Sequence, residues 1–528
     1  MACCGTFSKV CKRMGSKEMK FFTACMNGHV DIARTLLADN RVNPADYGNY
    51  AIRAACMNGH VDVVRVLLAD SRVDPAYKNN NAFYEACDKG HTDVVRLLLT
   101  DNRVNPADLD NAAIRLACWH GHIGVVRLLL ADSRIDPTGY NNYTIRWACR
   151  NGHVDVVRLL LADSRVNPAD ASNNAIKWAC QSGQADVVCL LLADSRVDPA
   201  DNDNYAIRWA CFHGHVDVVR LLLVDDRVNP ADNNNEAIRF ACEEGHIDVV
   251  RLLLVDDRVN PADNNNEALW WACKNNHLDV VRVLLADSRV NAADENNFAI
   301  RWACENGYLD VVRVLLADPR VNPSDNNNYA IRWACHNGNV DVVRLLLNDS
   351  RVNPADKNNE AMVWACQNGR IDVVRLLLTD NRVNPADNNN RAIQQACRYG
   401  HVDVVRLLLM DPRINICRVV LSCPEVIAKY GEDEFIRTLL ALAGVEQICR
   451  KYGPLDFAVY NLDKLRHWQR ARYITLYRQG VEFRNGPYGV LLRDRLKVAD
   501  LYASAVLTSK LPIEMIELVL GYKMSSFD

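Results

Sequence analysis

Short apolar stretches with helical spacing recur along most of the chain, and polar segments rich in asparagine separate them. In one clear copy, residues 330–337 place Ile331, Ala334 and Cys335 on one face at the spacing of an α-helix. Gly338 follows immediately and is expected to end this helix, because glycine readily adopts the left-handed conformation found just past a helix end.

A second amphipathic helix is predicted after this glycine, over residues 340–348. Its apolar face is expected to hold Val340, Val343, Leu346 and Leu347, with Asp341 and Arg344 on the polar side. The adjoining sequence DSRVNPADNNN is typical of turns, because proline fixes φ and asparagine tolerates the left-handed region. The unit spanning 325–355 is therefore predicted to be helix, turn, helix and loop.

The cysteines show how often this unit occurs. Thirteen of the 20 cysteines follow one another at one constant interval, which is the length of the unit spanning 325–355: Cys25, Cys56, Cys87, Cys118, Cys149, Cys180, Cys211, Cys242, Cys273, Cys304, Cys335, Cys366 and Cys397. This spacing defines thirteen repeats over residues 15–417. A single repeat cannot bury its apolar face, whereas stacked repeats can. Cysteine is expected to act there as a small hydrophobe that lets neighbouring first helices pack closely.

A histidine follows the periodic cysteine by four residues in most repeats, as in Cys242 and His246, and such a pair could ligate a metal. The histidine is replaced in four repeats, by Gln184, Tyr308, Asn339 and Arg370, while the repeat pattern persists. The structural interpretation is therefore favoured, and no cofactor or metal is expected. Reduced cysteines fit an intracellular protein.

The repeat pattern AIRWACxNGHVDVVRLLL, followed by VNPAD, resembles the ankyrin repeat. The resemblance covers about three-quarters of the chain and implies an all-α solenoid of thirteen stacked helix pairs. Its period is two residues shorter than the usual ankyrin period of about 33 residues, which leaves the geometry of the connecting loop open. Asparagine-rich arrays with this short period resemble those of large DNA viruses and their amoebal hosts.

Three further sets of residues recur with the repeat. The Asp-x-Arg motif occurs thirteen times, from Asp39 and Arg41 to Asp411 and Arg413, and is predicted to form ion pairs near the loops rather than an anion site. An aromatic row is predicted to pack in the core, the alternative being an exposed stacking platform for nucleic acid: Trp147, Trp178, Trp209, Phe240, Trp271, Trp302, Trp333 and Trp364. An arginine row is predicted to support the loops: Arg53, Arg115, Arg146, Arg208, Arg239, Arg301 and Arg332.

The positions just after each periodic cysteine vary most between repeats. In ankyrin arrays they lie on the concave face that grips protein partners, so the resemblance implies a binding face made of Trp119, His120, Arg150, Gln181, Phe212, His213, Glu243, Glu244, Lys274, Glu305, His336, Gln367, Arg398 and Tyr399. The alternative is sequence drift among solvent-exposed positions.

The overall charge limits the classes of partner. The net charge is −3, which argues against a surface devoted to nucleic acid or acidic membrane. Residues 1–14 carry three basic residues and residues 418–528 carry 16 basic and 13 acidic residues, which leaves the array at −9.

No apolar stretch long enough for a membrane span or a secretory signal is found. Cys3 and Cys4 could be acylated, although a frayed, unmodified terminus is the preferred interpretation.

Residues 418–528 are predicted to form a small helical domain. Residues 464–497 are basic and aromatic, which fits either nucleic-acid binding or, preferably, a packed amphipathic helix. Residues 511–523 resemble the start of a truncated F-box (PRANC-like) motif, carried by Leu511, Pro512, Glu514, Val519, Leu520 and Tyr522. This resemblance implies docking on a Skp-type adaptor of a cullin ubiquitin ligase; the alternative is a plain C-terminal helix.

No nucleophile–base pair or phosphate-binding loop stands apart from the repeats, so catalysis is not expected. The predicted function is a protein-interaction adaptor whose array binds a target while its C-terminal helix recruits a ubiquitin ligase, in the cytoplasm of the cell, or of the host if the chain is viral. The alternatives are a structural scaffold without ligase recruitment and, less favoured, nucleic-acid binding through residues 464–497.

Overall fold

A computed structural model describes residues 16–411 and 413–414. It contains 26 α-helices and no strand within those residues, which confirms the all-helical repeat fold. Residues 1–14, the domain over 418–528, the basic segment 464–497 and the F-box-like residues lie outside the described part of the chain. The described helices alternate between a first and a second helix in each repeat.

The first helices are α1 Ser16–Met26, α3 Asp46–Met57, α5 Tyr77–Asp88, α7 Asp108–His120, α9 Gly139–Arg150, α11 Asp170–Gln181, α13 Asp201–Phe212, α15 Asp232–Glu244, α17 Asp263–Lys274, α19 Asp294–Asn306, α21 Asp325–Asn337, α23 Asp356–Gln367 and α25 Asp387–Tyr399.

The second helices are α2 Val30–Leu37, α4 Val61–Leu68, α6 Thr92–Leu99, α8 Ile123–Leu130, α10 Val154–Ala162, α12 Ala185–Leu192, α14 Val216–Val224, α16 Ile247–Val255, α18 Leu278–Leu285, α20 Leu309–Ala317, α22 Val340–Leu347, α24 Ile371–Leu378 and α26 Val402–Leu409.

The chain divides into two compact units that meet in sequence between Trp271 and Ala272. Within each unit, first helices pack against the first helix of the next repeat and against the second helix of their own repeat, as α13 packs against α15 and α14. The core lies between the two helix layers. In α13 and α14 it consists of residues that are at most 1% exposed: Ala206, Ile207, Ala210, Cys211, Val218, Val219 and Leu222. None of the described helices is long and apolar enough to cross a membrane.

The predicted apolar face of the second helix needs a correction. In α22 the buried residues are Val342, Val343 and Leu346, whereas Val340 and Leu347 are half-buried. Val340 is the first residue of the helix, where the chain is still emerging from the preceding turn. The buried face is therefore centred on the Val-Val pair rather than on the first valine.

The asparagine-rich loop forms a left-handed turn at the start of each first helix from α3 onwards, before its right-handed part. In α21, Asn326, Asn327 and Asn328 have φ angles of 54°, 57° and 56°, and the right-handed helix starts only after them. Left-handed geometry costs about 1–2 kcal/mol per ordinary residue, and asparagine reduces this cost through local hydrogen bonds. The sequence indicated left-handed asparagine, but not three consecutive left-handed residues.

Candidate protein-binding surface

A buried asparagine closes each left-handed turn and joins it to the following repeat. In the turn at the start of α13, Asn204 is 3% exposed. Its Oδ1 accepts a hydrogen bond from the Asn229 backbone N–H at 2.8 Å. Its Nδ2 donates to the carboxylate of Asp232 at 2.5 Å. Bonds equivalent to the first of these recur in other repeats at 2.7–3.0 Å, at the same offset along the chain. This buried-asparagine row fixes the loops that carry the first helices.

The Asp-x-Arg motif forms ion pairs, as predicted. Arg72 donates from Nη2 to Oδ2 of Asp70 at 2.6 Å, and this hydrogen bond is the main reason that the pKa of Asp70 is lowered. The ion pair lies within one repeat, and the arginine also reaches the previous repeat. Its Nη1 and Nη2 donate to the backbone carbonyls of Val42 and Leu37 at 3.1 and 3.0 Å. The motif therefore links repeats mainly through carbonyl oxygens.

The repeated histidine makes a structural hydrogen bond. Its Nε2 donates to a carbonyl oxygen in the preceding repeat, as from His246 to Phe212 at 3.0 Å. In three of the four repeats that lack the histidine, the donor is kept: Gln184, Asn339 and Arg370 bond the equivalent carbonyls at 3.4, 2.9 and 3.2 Å. A side chain that is exchanged for another donor serves hydrogen bonding rather than metal ligation. In the described part of the chain, no group of three or more metal-ligating side chains is found.

The arginine row supports the loops, as predicted. Arg332 donates from Nε and Nη2 to the backbone carbonyls of Asn327 and Asn326 in its own left-handed turn, at 2.9 and 3.0 Å. Some members also form an ion pair with a glutamate of the next repeat, as between Arg239 and Glu267 at 2.8 Å. These arginines therefore hold the turn against the helix that follows it.

The aromatic row does not lie in the core, and that prediction is wrong. All eight side chains are half-buried. In α13 the buried stripe uses positions 206, 207, 210 and 211, and Trp209 falls to one side of it because successive helical residues are about 100° apart. The indole rings instead contact one another between neighbouring first helices, with centroids 5.4 Å apart for Trp147 and Trp178 and for Trp333 and Trp364.

The predicted partner-binding residues lie at the carboxyl ends of the first helices, beside this aromatic row. Seven of them are exposed: Trp119, His120, Arg150, His213, Glu244, Arg398 and Tyr399. The other seven are half-buried: Gln181, Phe212, Glu243, Lys274, Glu305, His336 and Gln367.

Contacts between these residues and the aromatic row occur in both compact units. In the first unit, the rings of Trp119 and Trp147 are 3.8 Å apart, and the Arg150 guanidinium lies 4.9 Å from the Trp147 ring centroid. In the second unit, His336 lies 4.9 Å from Trp333. The variable positions and the aromatic row therefore share one surface in each unit.

Similarity to known families agrees with this geometry. A family model of three successive ankyrin repeats matches seven overlapping segments, residues 10–79, 71–141, 117–203, 193–264, 255–327, 301–389 and 331–419. Together they cover more than three-quarters of the 528 residues. The chain belongs to the ankyrin-repeat family. Ankyrin repeats are protein-interaction modules, so the match supports a role in binding other proteins. A search of curated proteins found no match.

Sequence reasoning missed one property of this ankyrin surface, which is that tyrosines join it. Tyr143, at the start of the right-handed part of α9, lies 5.4 Å from Trp147, and Tyr329 in α21 lies 5.6 Å from Trp333. The available signal was the spacing of four residues between tyrosine and tryptophan, which places both on one side of a helix. These pairs widen the aromatic row toward the loops.

Proposed function

We propose that this ankyrin array binds a protein target through the face formed by the carboxyl ends of its first helices. The observation that carries the proposal is the half-exposed aromatic row beside the variable residues. Partly exposed aromatic and arginine side chains are the residues that most often dominate the energy of protein–protein binding. A role of these residues in the core alone would not leave their rings at the surface.

The test starts from proteins captured from cell extract by the full chain, followed by binding measurements with each purified candidate. Glu244→Lys in α15 and His336→Ala in α21 change this face in the two units. We expect at least one of them to weaken binding by about tenfold, since losing a favourable contact at the centre of an interface costs more than about 1 kcal/mol.

The matched control is Asp217→Lys, which makes a similar charge change at an exposed position of the second helix α14. It should leave the affinity within about twofold. Equal weakening by the control, or unchanged binding in both face variants, rejects the proposal. Retention of no protein by the wild-type chain rejects it as well.

A finer proposal assigns the C-terminal segment to ligase recruitment and rests on sequence resemblance alone, because Leu511–Tyr522 lie outside the described residues. The array would then select the target in a reducing, cytoplasmic setting. Co-purification with a Skp-type adaptor should be lost on Leu511→Ala combined with Pro512→Ala. Absence of the adaptor from the wild-type preparation favours the alternative of a scaffold without ligase recruitment.

A further inference from the structure

Three consecutive first helices carry basic and aromatic side chains, and no acidic ones, in their right-handed segments. The right-handed segments 112–120, 143–150 and 174–181 of α7, α9 and α11 contain no aspartate or glutamate. The corresponding segment of α5 contains Glu85 and Asp88, and that of α15 contains three glutamates. We call the side chains of this patch the basic aromatic stripe: Arg115, Trp119, Tyr140, Tyr143, Arg146, Trp147, Arg150 and Trp178.

Two arginines of the stripe, Arg115 and Arg146, lack the glutamate partner that some other members of the arginine row have. Arg208 and Arg239 each form an ion pair with a glutamate of the next repeat, Glu236 and Glu267 respectively. At the same offset, Arg115 and Arg146 are followed by Tyr143 and Asn174, which carry no charge. Neither arginine forms a salt bridge within the described residues.

These guanidinium groups lie against aromatic rings instead. Arg115 is 4.7 Å from the ring centroid of Tyr140, and Arg146 is 5.2 Å from that of Trp178. Partial burial lowers the pKa of Arg146, which reflects the cost of removing its charge from water. An incoming carboxylate would offset that cost, since opposite charges interact more strongly where solvent is partly excluded.

The stripe is open to a ligand. Arg150 is exposed, its side chain forms no hydrogen bond or ion pair among the described residues, and it stacks on Trp147. Trp119 is 37% exposed and Tyr140 is 56% exposed, the latter donating to the carboxylate of Asp110 at 3.0 Å. A ligand can therefore reach both the cations and the rings without rearrangement of the fold.

The length of the stripe and its surroundings favour a short peptide over a nucleic acid. Neighbouring packed helices are about 8–10 Å apart, so three of them span about 20 Å. An extended peptide covers that distance with about six residues. The first helices before and after the stripe carry acidic side chains, among them Asp88, which is ion-paired with Lys89, and the exposed Glu244, so the basic surface does not continue far enough for a longer polyphosphate chain.

We propose that the basic aromatic stripe binds a short, extended acidic segment of the protein partner, with two carboxylates about three residues apart and an apolar or aromatic side chain between them. This inference rests on the proposed function, since it specifies the partner of the same face. The two carboxylates meet the arginines of adjacent repeats, and the apolar side chain packs between the indole rings.

The probe is a random peptide library displayed on phage and selected against the full chain. Enriched peptides should carry at least two acidic residues at this spacing. Arg150→Glu should weaken their binding by at least about tenfold, because it places a like charge opposite the peptide carboxylates. Arg115→Gln should weaken binding less, and affinity should fall as salt rises from about 0.05 M to about 0.2 M.

The matched control is Arg158→Glu, which makes the same charge change in the same repeat on the exposed side of α10. It should leave binding within about twofold, and circular dichroism checks that each variant is folded. The Arg150 side chain donates no hydrogen bond within the described part of the chain, so its replacement should preserve the fold.

Enrichment of peptides without acidic residues, or binding that is insensitive to Arg150→Glu, overturns the inference. Tighter binding of single-stranded oligonucleotides than of the selected peptides also overturns it. These results leave the proposed function intact if Glu244→Lys or His336→Ala still weakens binding of a captured partner. Failure of both sets of experiments rejects the proposed function itself.

Discussion

The buried asparagine shows how one side chain meets several needs of the repeat. At Asn204 it occupies a left-handed position with φ of 56°, accepts a backbone N–H and donates to a carboxylate of the next repeat. Glycine would satisfy only the backbone, and aspartate would lose the donor. Asparagine is therefore the residue that satisfies both the turn and the stacking contact.

We predict that Asn204→Ala lowers local stability by about 2–5 kcal/mol. The change leaves buried polar partners without a bond, at about 1–3 kcal/mol, and places alanine in left-handed geometry, at about 1–2 kcal/mol. The matched control is Asn202→Ala in the same turn, where φ is 59° and the side chain is exposed. It should show the backbone cost alone. Urea denaturation followed by circular dichroism measures both, and equal shifts would contradict the role of the side chain.

At the scale of elements, the left-handed turn and the helix that follows it act as one piece, and the copy that contains Asn111 is incomplete. Asn111 accepts the Asp136 backbone N–H at 2.9 Å, as its equivalents do. At the position of the usual carboxylate, however, the next repeat has Gly139 at the start of α9. A Cβ at Gly139 would meet only one atom within 4 Å, the Asp110 carbonyl oxygen at 3.9 Å.

Gly139→Asp should therefore stabilise the array by about 1 kcal/mol. The new carboxylate would accept a hydrogen bond from Asn111, and removing a glycine reduces the entropy of the unfolded chain. Gly139→Ala is the control, because it supplies only the entropy term. If the denaturation midpoint rises no more for Gly139→Asp than for Gly139→Ala, the new carboxylate does not form the expected hydrogen bond with Asn111.

The sequence predicted the positions of the helices better than it predicted the burial and contacts of their side chains. Apolar spacing and the glycine after each first helix located both helices, because these signals depend only on neighbouring residues. The burial of Val342 and the half-exposure of Trp209 depend on the angle between stacked helices, which the period alone does not specify. Arg115 and Arg146 were predicted to support the loops, but their lack of a glutamate partner emerged only from comparing contacts between repeats.

At the scale of the whole molecule, the periodic cysteines place a row of thiols in the core. All thirteen are buried, whereas Cys189 is exposed. Burial raises the pKa of Cys25 to about 12, and the pKa of ten others well above the ordinary value of 9.0: Cys56, Cys87, Cys118, Cys149, Cys180, Cys211, Cys273, Cys304, Cys335 and Cys366. The folded array therefore holds these thiols in the protonated state.

This protonation predicts alkaline unfolding. Since the pKa is higher in the folded than in the unfolded chain, the stabilisation is complete below about pH 9 and is lost as pH rises toward the folded pKa. Above about pH 9, each thiol should lower the free energy of unfolding by about 1.4 kcal/mol per pH unit. Urea midpoints between pH 7 and pH 10 test this. Replacing Cys149, Cys180 and Cys211 by alanine should flatten the alkaline fall, and an unchanged fall would exclude the thiols as its cause.

The buried-asparagine row also has a direction, because each bond runs from one left-handed turn to the loop of the next repeat. Its last described member, Asn390, has a buried Oδ1 without a hydrogen-bond partner among the described residues. An insertion or deletion of a few residues would move the donors of this series away from their acceptors. Gain or loss of one whole repeat within a compact unit would place equivalent donors and acceptors in contact again. A change in the number of whole repeats is therefore a change in length that preserves the stacking contacts of this chain.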